Sequence, residues 1–584
     1  MVFLHRSWVS CLGVSLLGGS LLGGSLLVGC TASSSSDEGT PTTASDTDTD
    51  TDVDSDTDSD TDTDADTDAD SDTDADSDTD TATDGSGHSH TGTVLPTFPP
   101  PVITPTEPRA GVDELSCTSD HPTWWEHDGV EVSSDPTVSP WDVAPGTWAC
   151  VDKHGRAEVE ATAVRHNLLV VLVDDLGIDR VASYGVHPEP TPTPALDALA
   201  ARSLQFEVAY ATPLCSPSRA AMLTGKMPRR TGLGYLVDQN DDTVDWLAGH
   251  PTFAEVMQSE GYDTAMTGKW HLASKNPSQA THPADHGFDF HRGTADNPGV
   301  AYEANHLSKD YFAWQDNHDG VQEDREGYLT SATIDDAIEQ LDTLAEPWLL
   351  YVPLNAPHAP LHWPPSDLAE QPKKVTDTQM AKYDAMVQAM DVELDRFFTA
   401  VEDRGLLDRT TMIVLGDNGS QDHAMREPSN PERSKKTGYE GGVRVPLWIV
   451  SPLLEAPQTT GALVHLTDVF ATARDLAGAP DDGAVRDSIS LLPYVADPSL
   501  PSAREALFTE LFRPNGATSG FTRHDVTIRS ATHKLLVDGD GTQLFRLDPT
   551  DLDEGEPIDK PTGDDLLALE QLEDELAALE ATFP

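Results

Sequence analysis

The chain has 584 residues, with 101 acidic against 36 Lys and Arg side chains and a formal net charge of −65. This length exceeds that of one ordinary domain and suits a large α/β core with a small companion domain. The acidic balance argues against nucleic acid as a partner. Because salt screens charges beyond about 10 Å, an anionic ligand would bind only at a local basic cluster.

Residues 1–30 are predicted to be a secretory leader, because His5 and Arg6 precede an apolar stretch over residues 9–28. The leader ends in Leu-Val-Gly-Cys at residues 27–30, which resembles a bacterial lipobox. We therefore expect Cys30 to be lipid-modified and to anchor an exported protein to a bacterial membrane, in the periplasm or at the cell surface. The alternative is an ordinary signal peptide that is cleaved nearby.

Residues 31–111 are predicted to be an extended tether. Residues 32–90 contain 20 Asp, one Glu and no Lys or Arg, and residues 96–108 are rich in proline. Self-repelling charge and the scarcity of large apolar side chains prevent such a segment from forming a core. The alternating Asp residues lack the turn glycine and terminal Glu of a calcium loop, so a solvated linker is favoured.

Residues 112–164 hold four tryptophans with Cys117 and Cys150, and they are predicted to form a small ordered extension without chemistry of its own. In an exported protein these two cysteines favour a disulfide over two free thiols. The five cysteines of the chain do not have the spacing of a zinc site.

Residues 165–500 are predicted to form an α/β domain, because apolar runs alternate with amphipathic stretches. Strands are expected at residues 168–173, 263–267, 348–354, 411–415 and 447–450. Helices are expected at residues 195–206, 252–260, 376–403 and 468–476, and Gly405 is expected to close the third of them.

Polar groups follow four of these strands directly. They are Asp174-Asp175, Lys269-Trp270-His271, Asn355-Ala356-Pro357-His358 and Asp417-Asn418-Gly419. Each group alone is typical of a turn or a helix cap. Because ligands bind at the carboxyl edge of an open α/β sheet, their joint occurrence predicts a binding site there.

Cys215 begins the segment Cys215-Ser216-Pro217-Ser218-Arg219, whose serines and proline suit the first turn of a helix. Backbone N–H groups and the positive end of the helix dipole converge at such a position, with Arg219 one turn further on. The segment therefore predicts an anion site with an activated Cys215 thiolate. The alternative is a buried core thiol.

The residue types around this edge indicate a hard cation and acid–base chemistry. The candidate ligands offer only oxygen atoms, which suit calcium or magnesium rather than zinc; they are Asp174, Asp175, Asp417 and Asn418. The remaining candidates are titratable or cationic; they are His271, His358, Arg219, Lys269 and Lys435.

Together these segments resemble the type I sulfatases, a formylglycine-dependent, arylsulfatase-like family of the alkaline phosphatase-like superfamily. The resemblance covers residues 167–446 and extends more weakly to the C-terminus. Its motifs are Cys-x-Pro-Ser-Arg at 215–219, Leu-Thr-Gly at 223–225, Gly-Tyr-Asp-Thr at 261–264, Gly-Lys-Trp-His at 268–271, Ala-Pro-His-Ala-Pro at 356–360 and Tyr-Glu-Gly-Gly-Val-Arg-Val-Pro at 439–446. The fold it implies is α/β, with a large mixed, mostly parallel sheet flanked by helices and a small C-terminal antiparallel-sheet subdomain.

The resemblance implies that Cys215 is oxidised to formylglycine by a formylglycine-generating or other sulfatase-maturing enzyme. It also implies a calcium ion, with magnesium as the alternative, held by the modified residue and by Asp174, Asp175, Asp417 and Asn418. The reaction implied is hydrolysis of a sulfate monoester, an aryl sulfate or a sulfated carbohydrate, to an alcohol and inorganic sulfate.

In the mechanism that the resemblance implies, one hydroxyl of the hydrated formylglycine attacks sulfur and the other is later deprotonated, which expels sulfate. His358 would protonate the leaving alcohol with help from Lys435, and His271 would deprotonate the second hydroxyl. Arg219 and Lys269 would hold the modified residue and the sulfate.

Three alternatives stay open from the sequence. Lys436 competes with Lys435, which is preferred because the family's lysine stands four residues before the aromatic residue, here Tyr439. A phosphonate or phosphate ester hydrolase of the same superfamily would use the same groups. A non-catalytic surface lipoprotein would use them only to bind an anion.

Residues 501–584 are expected to form the C-terminal subdomain, with strands at 526–528, 534–537 and 543–547 and an amphipathic helix at 565–580. Asp-Gly-Asp-Gly at 538–541 predicts a hairpin between the last two strands. Arg523, Arg529 and His533 are interpreted as surface charges rather than as substrate contacts.

Replacing Cys30 with Ser is expected to move the protein from the membrane fraction to the soluble fraction, because acyl chains on Cys30 would supply the anchor. The measurement is immunoblotting of fractionated native cells. Cys11→Ser, which changes another leader cysteine, is the matched control and should stay in the membrane fraction. An unchanged distribution of Cys30→Ser would favour the ordinary signal peptide.

Overall fold

Two small sheets come first in the chain, between residues 102 and 163. Their strands are β1 (Val102–Thr104), β2 (Arg109–Ala110), β3 (Leu115–Thr118), β4 (Trp124–His127), β5 (Val130–Ser133), β6 (Thr137–Val138), β7 (Gly146–Asp152) and β8 (Gly155–Ala163). One sheet has the order β1-β3-β6 and the other the order β2-β8-β7-β4-β5. Strands β1 and β2 lie at the end of the segment that the sequence predicts to be tether.

The computed structural model describes these strands and residues 165–237, 244–273, 280–298, 310–371, 378–484 and 486–584. All of them belong to one unit, Val94–Pro584. The predicted leader and the acidic part of the predicted tether lie outside the described residues. Among the helices that are described, none has both the length and the apolar character needed to cross a bilayer.

Cys150 lies in β7, where it is buried and forms a disulfide. Its predicted partner, Cys117, lies in β3, but the Cys117 side chain is outside the described part of the structure. The pairing of Cys117 with Cys150 therefore stays a prediction. Cys215 is a free, buried cysteine.

A ten-stranded mixed sheet follows. Its strands are β9 (Asn167–Val173), β10 (Leu204–Tyr210), β11 (Asp263–Lys269), β12 (Phe290–Thr294), β13 (Ala313–His318), β14 (Val321–Glu326), β15 (Trp348–Pro353), β16 (Thr410–Gly416), β17 (Leu447–Val450) and β18 (Gln458–His465). Their order is β14-β13-β12-β11-β15-β9-β16-β17-β10-β18. The five strands from β12 to β16 in this order are mutually parallel, so their carboxyl ends share one edge.

Helices cover both faces of this sheet. They are α1 (Pro194–Ala200), α2 (Cys215–Thr224), α3 (Pro228–Thr231), α4 (Phe253–Ser259), α5 (His282–Asp285), α6 (Leu329–Thr343), α7 (Thr378–Asp403), α8 (Glu440–Val443), α9 (Asp468–Ala477) and α10 (Leu492–Ala496). Alternate side chains of β9 enter opposite cores: Leu168 packs with residues of α2, α4 and α9, and Leu169 packs with residues of α1, α6 and α7. Because both faces are covered, β9 is apolar from Leu168 to Val173.

The predicted elements of this domain are present, with one wrong assignment. The predicted helix at 195–206 ends at Ala200, and Leu204 begins strand β10. Leu204 pairs with both Ile449 of β17 and Gln458 of β18. Pairing with strands that lie far away in the chain thus overrides the local helical spacing.

The C-terminal subdomain is the predicted small antiparallel sheet with a helix. Its strands are β19 (Leu507–Arg513), β20 (Arg523–Arg529), β21 (His533–Asp538) and β22 (Gly541–Arg546), in that order, and its helix is α11 (Asp564–Glu580). The predicted hairpin joins β21 to β22, where Asp538 pairs with Gly541. Leu572 of α11 packs against Ile528, Leu535 and Leu544 of the sheet.

Two of the three predicted surface charges of this subdomain are buried instead. Arg529 donates to Glu440 of α8 over 3.1 Å, and His533 Nε2 lies 3.1 Å from Asp565. Arg523 remains partly exposed and pairs with Asp525. The surface interpretation of Arg529 and His533 is wrong, because their partners come from segments that are distant in the chain.

Lys534 lies at the centre of a buried ionic cluster between the subdomain and α8. Its Nζ donates to Glu440 over 3.1 Å and to Glu554 over 2.9 Å, and Arg529 donates to the other oxygen of Glu440. Burial alone would lower the pKa of Lys534, but Glu554 and the other anionic neighbours raise it above its usual value. The lysine is therefore charged, and the two carboxylates depend on it for neutralisation.

Lys534→Ala is expected to lower the free energy of unfolding by about 3–5 kcal/mol, because it leaves buried carboxylates without their partner. Lys560→Ala, which removes an exposed lysine of the same subdomain, should stay within about 0.5 kcal/mol of the wild type. Urea unfolding followed by tryptophan fluorescence measures both. Equal stabilities for the two variants would contradict the role given to the cluster.

Candidate active site

The carboxyl edge of the parallel strands brings the predicted site residues together. Asp174 and Asp175 follow β9, Lys269 is the last residue of β11, and Asp417 follows β16. β9 is paired with both β15 and β16, so the residues after these three strands are close neighbours. The site is therefore a consequence of parallel pairing among strands that are far apart in the sequence.

Cys215 is the first residue of α2, and every residue of this helix is buried. The Cys215 thiol lies 3.5 Å from Asp174 Oδ1, and Lys435 Nζ donates to its sulfur over 3.1 Å. Ser218 fixes the entry to the helix by accepting from the Thr212 N–H over 3.2 Å. Gly225, with φ of 68°, ends the helix in the left-handed conformation that glycine permits.

The expectation of an activated Cys215 thiolate is wrong for the unmodified protein. Burial, followed by the negative charge of Asp174, raises the pKa of the Cys215 thiol above its usual value. The helix N-terminus and the nearby lysines do not compensate for this loss of hydration. The unmodified residue is therefore a neutral thiol within a charged pocket.

The four predicted oxygen ligands are completely buried, and Asp175 contacts both Asp417 and Asn418. The Asp175 N–H donates to Asp417 Oδ1 over 3.1 Å, and Asn418 Nδ2 donates to Asp175 Oδ1 over 2.7 Å. Burial, followed by the charge of Asp174, raises the pKa of Asp417 to about 7. Asp174, Asp175 and Asp417 thus lie close together without contact to solvent, and their negative charges require nearby cations.

Three buried cations face these carboxylates. Arg219 donates to Asp417 Oδ2 through Nε over 3.2 Å and through a terminal nitrogen over 3.0 Å, and it also donates to the Lys269 carbonyl over 2.7 Å. Lys269 pairs with Asp174. Burial opposes ionisation of Asp174, but Lys269 and its other cationic neighbours hold the Asp174 pKa well below its usual value.

Lys435 rather than Lys436 enters the site. Lys435 is buried, pairs with Asp175 and contacts Cys215, whereas Lys436 is exposed. The backbone of Lys436 has a φ of 76°, in the left-handed region that is uncommon for residues other than glycine. The choice made from the spacing to Tyr439 therefore agrees with the geometry.

His358 reaches the site from the loop after β15. Its Nδ1 donates to the Ala359 carbonyl over 2.7 Å, and its Nε2 lies 3.7 Å from Asp175 Oδ2. The Tyr311 hydroxyl donates to the His358 carbonyl over 2.7 Å and thereby holds the loop. Burial lowers the pKa of His358 to about 4, despite the charges of Asp174 and Asp175.

His271 lies two residues beyond β11 and has a φ of 61°. Its Nε2 is 3.1 Å from Asp296 Oδ1, while its Nδ1 is buried without a hydrogen-bond partner among the described residues. Burial, together with the charges of Lys269 and Arg219, lowers the pKa of His271 well below its usual value. His271 is therefore a neutral base at neutral pH.

Comparison with known proteins places this arrangement in a family. Residues 166–479, more than half of the chain, match the Sulfatase family. The chain belongs to the sulfatase family. It is 29% identical to arylsulfatase J of Mus musculus over 366 residues, which cover 59% of this chain and 57% of that protein. It is 31% identical to N-acetylgalactosamine-6-sulfatase of Homo sapiens over 358 residues, which cover 56% of this chain and 65% of that protein.

These matches span less than two thirds of either relative. A solved structure with a similar fold is that of Ps i-CgsB in complex with k-i-k-neocarrahexaose, with a TM-score of 0.61 and 24% sequence identity. It covers 72% of this chain and 94% of that one. The prediction of an α/β, alkaline phosphatase-like fold with a small C-terminal antiparallel sheet is confirmed.

The sulfatase site fits the divalent cation that its family implies. Asn418 Oδ1 is buried and has no hydrogen-bond partner within the described residues. Carboxylate oxygens of Asp174 and Asp175, the Cys215 sulfur and a ring nitrogen of His358 lie within 4.8 Å of one another. A hard cation would satisfy the unpaired amide oxygen and offset the carboxylate charge.

A second cluster supports the Gly-Lys-Trp-His segment of the sulfatase site. Asp245 accepts from Nε2 of His282 and of His286, each over 3.2 Å, and His282 Nδ1 accepts from Trp270 Nε1 over 2.9 Å. Because His282 Nδ1 accepts a hydrogen bond, its proton lies on Nε2, which is then not free to bind a metal. The cluster therefore anchors Trp270, which stands between Lys269 and His271.

Two residues near the site were not predicted from the sequence. Gln421 donates to Asp175 Oδ2, and Asp296 contacts His271. Gln421 lies only three residues after the predicted ligand Asn418, and this proximity in the sequence could have indicated that Gln421 belongs to the site. No sequence motif singles out Asp296, and its signal is the register of β12 against β11.

Calcium or magnesium is expected to stabilise the unconverted Cys215 protein, by about 2.7 kcal/mol at a concentration 100 times the dissociation constant. Thermal unfolding with chelator and then with each cation measures the shift. Asn418→Leu should reduce the shift because it removes a ligand oxygen. Asp408→Asn, at an exposed residue before the amino end of β16, should leave it unchanged, and a wild-type protein that responds to neither cation would contradict the metal assignment.

Proposed function

We propose that this chain hydrolyses sulfate monoesters, aryl sulfates or sulfated carbohydrates, to an alcohol and inorganic sulfate. The observation that carries the proposal is the position of Cys215. Its sulfur contacts Lys435 and Asp174 at the edge of the sheet where buried carboxylates, cations and two histidines converge. Relatives named arylsulfatase J and N-acetylgalactosamine-6-sulfatase support both substrate classes.

Cys215 would be converted to formylglycine by a sulfatase-maturing enzyme, which is the partner that the proposal requires. Once formed, the hydrated aldehyde supplies a hydroxyl nucleophile and a second hydroxyl that later releases sulfate. The neutral thiol of the unmodified residue is consistent with this, because a thiol held in the neutral form is a poor nucleophile. Lys435 already donates to the side-chain position that the modified oxygens would take.

The cations would bind and orient the sulfate group. Arg219, Lys269 and Lys435 are buried, so their charges act in a medium with little water and are strengthened there. Pairing with carboxylates fixes each of them before substrate arrives. These three side chains would therefore stabilise the negative charge that develops on the sulfate oxygens without first having to change their positions.

The two histidines would move the protons. His358 holds its Nδ1 proton on the Ala359 carbonyl, so its Nε2 is the nitrogen that would pass a proton to the leaving oxygen. A bound sulfate ester adds negative charge beside His358 and favours its protonated form. His271, neutral at neutral pH, would accept a proton at its unpartnered Nδ1.

Asp174, Asp175, Asp417 and Asn418 would hold calcium, or magnesium in its place, together with the modified residue. When bound, the cation supplies positive charge that lowers the pKa of a neighbouring hydroxyl. The buried carboxylates keep this charge fixed at the carboxyl edge of the sheet. Gln421 and Lys435 would hold Asp175 in its orientation.

We further propose that the protein is exported and attached to a bacterial membrane through lipid on Cys30. The acidic tether would then extend the catalytic domain away from the membrane surface. Lipobox-like residues 27–30 and the composition of residues 31–111 support this arrangement.

Cys215→Ala is expected to abolish hydrolysis of an aryl sulfate by protein made together with a maturing enzyme, because it removes the precursor of the nucleophile. Lys435→Ala is expected to lower kcat by about 100-fold or more, since it removes a preorganised cation. Lys436→Ala is the matched control and should stay within about twofold. Release of the phenol is followed spectroscopically.

Unchanged turnover by Cys215→Ala would remove the proposal. Faster hydrolysis of the phosphonate ester than of the sulfate ester of the same phenol would favour the phosphonate hydrolase. Cys215 that stays unconverted in protein from its native cells, as seen by peptide mass spectrometry, would favour an anion-binding protein.

A further inference from the structure

Asp296 is brought to His271 by the register of two parallel strands. Lys269 of β11 lies opposite Thr294 of β12, and the pairing continues past both strand ends. The Trp270 N–H donates to the Thr294 carbonyl over 2.9 Å, and the His271 N–H donates to the Ala295 carbonyl over 3.0 Å. Continuing this register by one residue sets Asp296 beside His271.

The contact between the two side chains is buried and direct. His271 Nε2 lies 3.1 Å from Asp296 Oδ1, and the side chains are only 6% and 4% exposed. The Asn297 N–H donates to the same carboxyl oxygen over 2.5 Å and fixes the Asp296 rotamer. This separation favours the imidazole tautomer that places the His271 proton on Nε2, facing the Asp296 carboxylate.

His271 is held from two sides by the same segment. Its backbone has a φ of 61°, a conformation that is uncommon for residues other than glycine. Ala295 holds the backbone and Asp296 holds the imidazole. Nε2 faces Asp296, and the buried Nδ1 is the ring nitrogen that has no hydrogen-bond partner among the described residues.

We propose that Asp296 is a positioning residue for His271, which fixes the imidazole in the tautomer with Nε2 protonated and Nδ1 free to accept a proton. This rests on the proposed function, in which His271 is the base. A third group that orients the base recurs in sites where a base serves a hydroxyl nucleophile. In this role Asp296 acts through His271.

The first test determines the tautomer of His271 directly and does not depend on enzymatic activity. Protein labelled with ¹⁵N-histidine and left unconverted at Cys215 is studied by NMR, and the His271 signals are assigned by difference against His271→Asn. The wild type should show a protonated Nε2 and an unprotonated Nδ1. Asp296→Ala should show a mixture of tautomers, and an unchanged tautomer in that variant would overturn the proposal.

The second test separates positioning from packing in the converted enzyme. Asp296→Ala is expected to lower kcat by about 100-fold with KM within about threefold, because the base is misoriented while the sulfate contacts stay. Asp296→Asn keeps the side-chain volume but offers either an oxygen or an N–H to Nε2, and it should lower kcat by at least about tenfold. Asp289→Asn, at the opposite end of β12, is the control and should stay within about twofold.

Failure of the positioning role of Asp296 and failure of the proposed sulfatase activity would give different results. A rise in KM with kcat unchanged, or wild-type kcat in Asp296→Asn, would overturn the positioning role. A wild-type enzyme without sulfatase activity would instead count against the proposed function. The NMR result would then still decide whether Asp296 sets the His271 tautomer.

Discussion

The structure depends on the compensation of three buried carboxylates at the carboxyl edge of the central sheet. The carboxylates are Asp174, Asp175 and Asp417, and the cations that face them are Arg219, Lys269 and Lys435. Charges removed from water are tolerated only with close partners, and removal of one partner leaves an unpaired charge. Each of these carboxylates therefore needs its cation, and each cation needs its carboxylate. Their pairing holds the strands and loops that carry them in fixed positions relative to one another.

The C-terminal subdomain contributes to this set indirectly. The segment that carries Lys435 continues into α8, and α8 is attached to the subdomain through Glu440 and Lys534. Thr527 of β20 also donates to the Gly438 carbonyl over 3.1 Å. A buried ionic cluster away from the chemistry thus helps to determine where Lys435 lies, and docking of the subdomain supports the geometry of the site.

Residues that directly follow long apolar runs could be predicted well from the sequence. The run before Asp174 and the run before Asp417 are buried on both faces, and parallel pairing brings their ends together whatever the details of the loops. The preference for Lys435 over Lys436 followed from the resemblance to the sulfatase family, whose lysine stands four residues before the aromatic residue of its motif. The prediction of the two strand ends needed only local pattern and the rule that such sheets bind ligands at their carboxyl edge.

Features that depend on distant pairing could not be predicted in this way. Residues 204–206 have helical spacing but form a strand, because β17 and β18 supply partners. Arg529 was predicted to be a surface charge because the sequence does not show that Glu440 lies beside it in the fold. Asp296 needs the register of β12 against β11, and the neutral state of the Cys215 thiol needs its burial and the charge of Asp174.

The most direct measurement is an anomalous difference map from crystals of the converted protein grown with calcium. We expect one strong peak at about 2.3–2.6 Å from oxygens of Asp174, Asp175, Asp417 and Asn418, next to residue 215. Absence of a peak at this edge, or a peak that contacts only one of these carboxylates, would contradict the account.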